Sequence, residues 1–205
     1  IYLTPQSHVE AYKALVEKYK AEEQNTKLEI RVFAEAPRYK NDNEVDLAGF
    51  QKSWEELKDT HHFFGLLKKH NISRSQALRL APSAYYADKI EKEKIVSMLE
   101  KVARQELPIM VFVGNPGNIQ IHTGKINKTL WHQQWFNIMD PDFNLHLNMD
   151  GVTNCWVVRK PTEDGIVTSI ECFDKDDELI VQFFGKRKPG IPEIKEWQEV
   201  VAQLQ

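Results

Sequence analysis

The sequence has no long hydrophobic run, no strong excess of charge of either sign and only two cysteines. A membrane-spanning helix needs about 20 apolar residues in succession, and the longest apolar runs here, such as residues 109–113, are far shorter. Lys plus Arg total 27 against 30 Asp plus Glu, so the formal net charge of −3 provides no global attraction to nucleic acid or anionic membranes. The hydrophobic fraction of 41% is too high for a disordered chain. We therefore predict a folded protein with neither a membrane nor a nucleic acid as partner.

The two cysteines, Cys155 and Cys172, are too few for a disulfide framework, and their spacing matches no zinc-binding motif. Both lie among alternating apolar residues, so we expect free buried thiols, as in a reducing cytosol. The chain does not open on a basic segment followed by an apolar one, the pattern of a secretory leader. We therefore predict a cytoplasmic protein, and the methionine-free start at Ile1 suggests a piece of a longer chain.

The apolar periodicity changes from helical to alternating near Pro108, which predicts an α+β fold. We expect one large antiparallel β-sheet meander with flanking helices, in a single domain over residues 1–205. Its parts are an opening strand (1–4), a helix, a second strand (27–34) and a loop within residues 1–45, a helical region (46–106), and a sheet with a C-terminal helix (107–205). Strands are predicted at residues 109–113, 118–123, 135–139, 143–149, 153–160, 166–173 and 178–184, and the last helix at 192–204.

The helical segments follow from residue spacing. Apolar residues recur at helical spacing over Val9–Tyr19, with Ser7 as the candidate N-cap. Ser73 and Gln76 form a capping box that opens a short helix. Residues 87–106 have the pattern of an amphipathic helix with Ile90, Ile95, Met98, Leu99 and Val102 inward. Between the first helix and the capping box, a single helix is predicted to carry one apolar stripe made by Phe50, Trp54, Leu57, His61 and Phe64.

His61 is the first candidate functional residue, because the helical wheel places it in the middle of that apolar stripe while His62 turns away. A lone histidine on an apolar face is most often a core or interface residue, and that interpretation stays open. The alternative is a neutral imidazole that ligates a metal centre. Its other ring nitrogen would then donate to a backbone carbonyl one turn back.

Cations beside aromatic residues are the second feature. Arg74 opens the short helix, Arg159 and Lys160 end one strand, and residues 186–188 (KRK) follow another. Charges just beyond strand ends are mostly solvated, which is one interpretation. The other is a rim of cations around an apolar slot, which would suit a flat hydrophobic dianion.

Two further patterns are weaker. His122 and His146 would share a metal site only if their strands paired, and exposed strand histidines are the better interpretation. Residues 66–80 resemble a helix-turn-helix in which Arg74 and Arg79 would contact phosphates, although the second helix is short and rich in Leu and Ala.

Several sequence strings together resemble the bacterial cytoplasmic haem-utilisation proteins of the HemS/ChuS type. The resemblance covers nearly the whole chain, least clearly before Asp46. It is carried by residues 59–64 (DTHHFF), 111–117 (VFVGNPG), 119–124 (IQIHTG), 135–137 (WFN), 143–147 (FNLHL), 156–162 (WVVRKPT) and 181–187 (VQFFGKR). That family has two tandem, structurally similar halves, each a saddle-like antiparallel sheet with helices, and this sequence resembles the C-terminal half.

The resemblance implies haem as the ligand and assigns roles to particular residues. The proximal iron ligand would be His61, within a haem-ligand region over residues 46–106. Contacts with the haem propionates would come from Arg74, Lys160 and Arg187. The pocket wall would include Phe112, with Gln182 and Phe184 as neighbours.

The resemblance also implies a role in a haem-uptake pathway, for haem trafficking, oxidative haem degradation, or both. In the full-length family the distal face of the haem comes from the N-terminal half, so we expect haem binding in this half more than turnover. Expected partners are that half or a second copy, and a haem-uptake transporter or haem oxygenase. The alternatives are a non-haem interaction domain and the helix-turn-helix regulator.

Overall fold

A computed structural model describes Pro5, residues 7–25, Lys27, residues 38–188 and residues 190–205. The strand predicted at residues 1–4 lies outside the described residues, as does nearly all of the strand predicted at 27–34. The chain divides into two compact units, Ile1–Arg38 and Tyr39–Gln205. The single domain over residues 1–205 stays a prediction.

The first unit contains helix α1 (Val9–Tyr19), as its periodicity predicts. Its N-cap is His8 and not Ser7, because the His8 side chain accepts a hydrogen bond from the Ala11 backbone amide at 3.0 Å. None of the helix residues is buried.

The second unit begins with a short 3-10 helix, Asp42–Glu44. Its α-helices are α2 (Leu47–Glu55), α3 (His62–His70), α4 (Arg74–Arg79), α5 (Glu93–Arg104) and α6 (Lys195–Ala202). The predicted capping box at the start of α4 is present, with Ser73 and Gln76 bonded reciprocally. No helix among the described residues is both long and apolar enough to cross a membrane.

The strands of the second unit form two antiparallel sheets, which confirms the α+β class. They are β1 (Ala87–Ile90), β2 (Ile109–Asn115), β3 (Asn118–Gly124), β4 (Thr129–His132), β5 (Trp135–Met139), β6 (Asn144–Asn148), β7 (Asn154–Thr162), β8 (Gly165–Phe173) and β9 (Leu179–Gly185). One sheet has six strands in the order β1-β7-β8-β9-β2-β3, and the other has three in the order β4-β5-β6. The prediction that all strands belong to one sheet was therefore wrong, and strand β4 was not predicted.

Each face of the six-stranded sheet packs against a different layer. One face contributes Cys155, Val157, Ile170 and Phe183 to a core shared with α5, α6 and the inner side of the three-stranded sheet. The opposite face contributes Val158 to a second core with α2, α3 and α4, where Phe50, Trp54, Phe63, Leu66, Ile72 and Leu78 are buried. Helices α2 to α4 cover only part of this face, and the remainder carries the site described below.

The helix predicted through Phe50 and Phe64 is two helices with a break over residues 56–61. The Asp59 side chain accepts the His61 backbone amide at 2.8 Å, and a carboxylate that bonds the backbone in this way competes with helical hydrogen bonds. The break shifts the buried face of α3 by one residue. Phe63 is therefore buried, whereas Phe64 is 74% exposed.

The helix predicted over residues 87–106 was wrong in its first part. Ala87–Ile90 is strand β1, which pairs antiparallel with β7 from Ala87 opposite Val158 to Ile90 opposite Cys155. Tertiary pairing outweighs the helical pattern here, because the strand buries both of its ends against the cores. The rest of the segment is α5, and its predicted inward residues Ile95, Met98, Leu99 and Val102 are buried.

Candidate functional site

On the part of the sheet face that helices α2 to α4 leave uncovered, strand register aligns four side chains in a row. Glu171 on β8 lies opposite Gln182 on β9, Gln182 opposite Phe112 on β2, and Phe112 opposite Ile121 on β3. Because side chains alternate between the two faces of a strand, these four side chains lie on one face. A row that runs from a carboxylate to apolar side chains therefore crosses four strands.

A cleft of about 460 Å³ lies over this row. It is bounded on one side by the loop before α3 and the start of α4. All seven residues that the resemblance implied line it together: His61, Arg74, Phe112, Lys160, Gln182, Phe184 and Arg187. They come from the loop before α3, from α4, from strands β2, β7 and β9, and from the segment after β9, so only the tertiary structure brings them to one place.

Glu171 lies next to the cleft with its side chain fully buried, and it is bonded to several residues that line the cleft. Arg74 makes a bidentate contact with it, from Nε to Oε2 at 2.6 Å and from Nη2 to Oε1 at 2.7 Å. Oε1 also accepts hydrogen bonds from Lys160 at 2.8 Å, Ser169 at 3.0 Å and Gln182 at 3.0 Å. Three of the seven cleft residues are thus bonded to one carboxylate.

The charges of this cluster depend on one another. Burial raises the pKa of Glu171, but Arg74 and Lys160 outweigh burial and hold that pKa well below its ordinary value. Burial lowers the pKa of Lys160 to about 8, although Glu171 opposes the change. The Arg74 pKa lies above its ordinary value because the charge of Glu171 outweighs burial. Near neutral pH the three groups therefore carry one net positive charge.

The Phe63 ring makes cation–π contacts with both Lys160 and Arg74. The Lys160 ammonium lies 4.6 Å from the ring centroid, and the Arg74 guanidinium carbon lies 5.3 Å from it. A cation over an aromatic face is attracted by the ring quadrupole. The buried side of α3 therefore helps to place the cations, in addition to its packing in the core.

Arg187 provides a second positive group, and its side chain is 15% exposed. Its Nη2 donates to Asp164 at 3.2 Å, and the Gly190 amide donates to the same carboxylate at 2.9 Å. The Arg187 Nε is buried and has no hydrogen-bond partner among the described residues. Because an unsatisfied buried donor is costly, this nitrogen is a group that a bound anion would satisfy.

The walls of the cleft are apolar. Phe112 and Phe184 pack edge to face with their ring centroids 5.2 Å apart. Ile119 and Ile121, on edge strand β3, are each more than half exposed. Exposed apolar side chains grouped in a concave site are typical of a binding surface.

His61 lies in the loop that precedes α3, and its side chain is 89% exposed. The prediction that it lies in a buried helical stripe was therefore wrong, although it does line the cleft. Its Nδ1 contacts Asp59 Oδ1 at 2.6 Å, so the partner is a carboxylate and not a backbone carbonyl. The hydrogen bonds from His61, backbone first, hold the pKa of Asp59 below its ordinary value.

The weaker candidates are not brought together. His122 is on the six-stranded sheet and stacks on Phe143 at 3.8 Å, whereas His146 is on the three-stranded sheet and contacts Asn137 at 2.7 Å. No cluster of three or more His, Cys, Asp or Glu residues suited to a metal ion is found in the part of the chain that the structure describes. Cys155 and Cys172 are free and buried, as expected.

The helix-turn-helix interpretation is contradicted by the burial of α4. This helix has six residues, and Ser75, Gln76, Ala77 and Leu78 are all buried. Arg74 is bonded to Glu171, and Arg79 lies 3.5 Å from Asp177. A recognition helix has to enter a DNA groove, and Arg79 is the one residue of α4 that is exposed.

Sequence reasoning missed Glu171, Asp59 and the exposed isoleucines of β3. A signal for Glu171 was present, because a lone carboxylate interrupts the apolar run of residues 166–173 and buried carboxylates are paired. Asp59 could have been found as a residue that caps a turn two positions before a histidine.

Comparison with known proteins identifies the family. Residues 71–204 match the family model of the haemin-degrading HemS.ChuX domain. The chain belongs to this family. The hemin transport protein HmuS of Yersinia pestis is 34% identical over 204 residues, which are 100% of this chain and 58% of that protein. The hemin transport protein HemS of Yersinia enterocolitica is 35% identical over the same shares.

Solved structures of HemS/ChuX relatives have the same fold. Holo-PhuS, a heme-binding protein from Pseudomonas aeruginosa, superposes with a TM-score of 0.94 at 46% identity, over 99% of this chain and 58% of that one. ChuS, an Escherichia coli heme oxygenase, gives 0.85 at 35% identity, over 99% of this chain and 59% of that one. This confirms the resemblance seen in the sequence strings. The chain spans a little over half the length of these relatives and matches their C-terminal half.

Proposed function

We propose that this chain binds haem in the cleft, with His61 as the proximal iron ligand. The observation that carries the proposal is that all seven residues implied by the resemblance line one cleft. Haem binding requires an imidazole, apolar surface for the porphyrin and cations for the propionates. The cleft contains each of these.

The donor set fits an iron porphyrin. A carboxylate can only accept a hydrogen bond, so the contact with Asp59 requires the proton of neutral His61 to be on Nδ1. Nε2 then holds the lone pair that a metal needs. Phe112, Phe184 and Ile121 would contact the porphyrin plane.

The propionates would lie toward the cations. Arg74 uses Nε and Nη2 on Glu171, which leaves Nη1 for a ligand carboxylate, and Lys160 contributes to the net positive charge there. Arg187 would use its unpaired Nε. Two separated positive groups match the two carboxylates of haem in number.

We further propose a cytoplasmic role in a haem-uptake and iron-acquisition pathway. Relatives named as hemin transport proteins support a carrier role. Oxidative degradation is the second candidate, favoured by the family description and by ChuS, a heme oxygenase. The rest of a longer parent chain or a second copy would cover the exposed side of His61. A haem-uptake transporter or a haem oxygenase would exchange haem with this protein.

A hemin titration followed at the Soret band tests the binding proposal. We expect a saturable Soret shift, and a changed band position with at least about tenfold weaker binding in His61→Ala, which corresponds to about 1.4 kcal/mol. His132→Ala is the matched control, because this exposed imidazole lies outside the cleft. A His61→Ala protein with wild-type spectrum and affinity would contradict the ligand assignment. No Soret shift in the wild type would favour the non-haem interaction domain.

Addition of peroxide, or of a reductant with oxygen, to the haem complex separates carrier from enzyme. In the reaction with reductant and oxygen, loss of the Soret band that persists with catalase and an iron chelator present indicates turnover. A stable band indicates a carrier.

A further inference from the structure

We propose that Asp59 is the positioning residue for the axial ligand, holding the His61 imidazole so that Nε2 faces the cleft and increasing its electron donation to iron. This inference rests on the proposed function and adds to it a residue outside the seven site residues that the resemblance implied. It concerns the strength and electronic character of the iron–histidine bond.

The geometry of the loop carries the proposal. Asp59 Oδ1 accepts the His61 backbone amide at 2.8 Å and lies 2.6 Å from His61 Nδ1. One oxygen therefore ties both the main chain and the ring of the same residue. With the proton on Nδ1, the ring has one tautomer, and its other nitrogen is the only one able to ligate.

His61 needs such a partner because packing does not hold its ring. It precedes α3, makes no side-chain cap hydrogen bond to the helix, and is 89% exposed. Among the described residues, Asp59 makes the one polar contact with the imidazole. Without it, the ring would be free to rotate about its side-chain torsions and would lose entropy on binding iron.

A carboxylate behind a ligating histidine has a known physical effect. It fixes the ring orientation and raises the basicity of the ligand, and loss of such a partner typically weakens metal binding about 10–100-fold. A more basic imidazole also stabilises ferric over ferrous iron. Asp59 is thus expected to lower the iron midpoint potential and to strengthen the iron–nitrogen bond.

A purely structural role for Asp59 is the competing explanation, since the same oxygen caps the turn. Asp59→Asn separates the two roles, because an amide oxygen can still accept the backbone and ring donors but carries no charge. Asp59→Ala removes both contacts. Asp142→Asn is the matched control, an exposed aspartate in the turn before β6, outside the cleft.

The experiment measures hemin affinity, the ferric/ferrous midpoint potential, and the iron–histidine stretching frequency by resonance Raman of the ferrous complex. We expect Asp59→Asn to raise the potential and lower the stretching frequency with the fold intact. Asp59→Ala should do the same and weaken hemin binding by about 10–100-fold. Asp142→Asn should match the wild type.

Two outcomes overturn the inference, and they are distinguishable. If both Asp59 variants keep the wild-type potential and stretching frequency while His61→Ala abolishes the stretching band, Asp59 only ties the loop and the proposed function stands. If His61→Ala also keeps the band, His61 is not the ligand, and the proposed ligation fails together with this inference.

Discussion

Arg74 and Glu171 form a bidentate ion pair that joins the start of α4 to the C-terminal part of β8, with contacts of 2.6 and 2.7 Å. Lys160 makes a third contact with the same carboxylate. The pair ties the helical layer to the sheet beside the cleft, which Arg74 lines. Forming a buried ion pair adds little net stability, but removing one partner is strongly destabilising because the other charge is left buried and unpaired.

Glu171→Gln is expected to lower the free energy of unfolding by about 3–5 kcal/mol, because it leaves buried Lys160 and partly buried Arg74 without their counter-charge. Urea denaturation at neutral pH measures the loss. Glu199→Gln is the matched control on the exposed side of α6, where surface substitutions change stability by about 0.5 kcal/mol or less. Equal stabilities of the two variants would contradict a central role for Glu171.

The same carboxylate predicts acid sensitivity. The Glu171 pKa is lowered in the folded protein, so its stabilisation is complete above the ordinary value of 4.5 and is lost as the pH falls below it. Unfolding midpoints measured between neutral pH and about pH 3 should therefore drop more steeply for the wild type than for Glu171→Gln. Parallel profiles would show that other carboxyl groups dominate.

Phe63 and Phe64 predict opposite results from neighbouring positions. Phe63 is 1% exposed in the core under the cations, and Phe63→Ala should cost about 3–5 kcal/mol. Phe64 is 74% exposed, and Phe64→Ala should change stability by about 0.5 kcal/mol or less. Thermal denaturation distinguishes them. A large loss of stability in Phe64→Ala would support the continuous helix that the apolar spacing predicted.

Arg187→Gln is expected to weaken hemin binding by about tenfold or more, because it removes a positive group that faces a propionate. Arg104→Gln is the control, since that guanidinium is 69% exposed on α5. Fluorescence quenching or the Soret titration measures both affinities, and circular dichroism checks the fold. Equal affinities would remove Arg187 from the proposed ligand set.

Many of the helices and strands could be predicted from the local spacing of apolar residues. Alternation located strands such as β5 at residues 135–139 without error, and helical spacing located α1. The prediction failed where a distant partner decides the structure. Ala87–Ile90 reads as helix in isolation and is a strand because β7 pairs with it.

The candidate site divides in the same way. The strings that identify the family could be recognised from the sequence alone, and with them the residue types that haem binding needs. The exposure of His61 in a loop, its contact with Asp59, and the sharing of buried Glu171 by Arg74, Lys160 and Gln182 became visible only in the folded chain. Local periodicity indicates which side of an element is apolar and nothing about its distant partners. Strand register and charge pairing across 97 residues depend on contacts that exist only once the chain has folded.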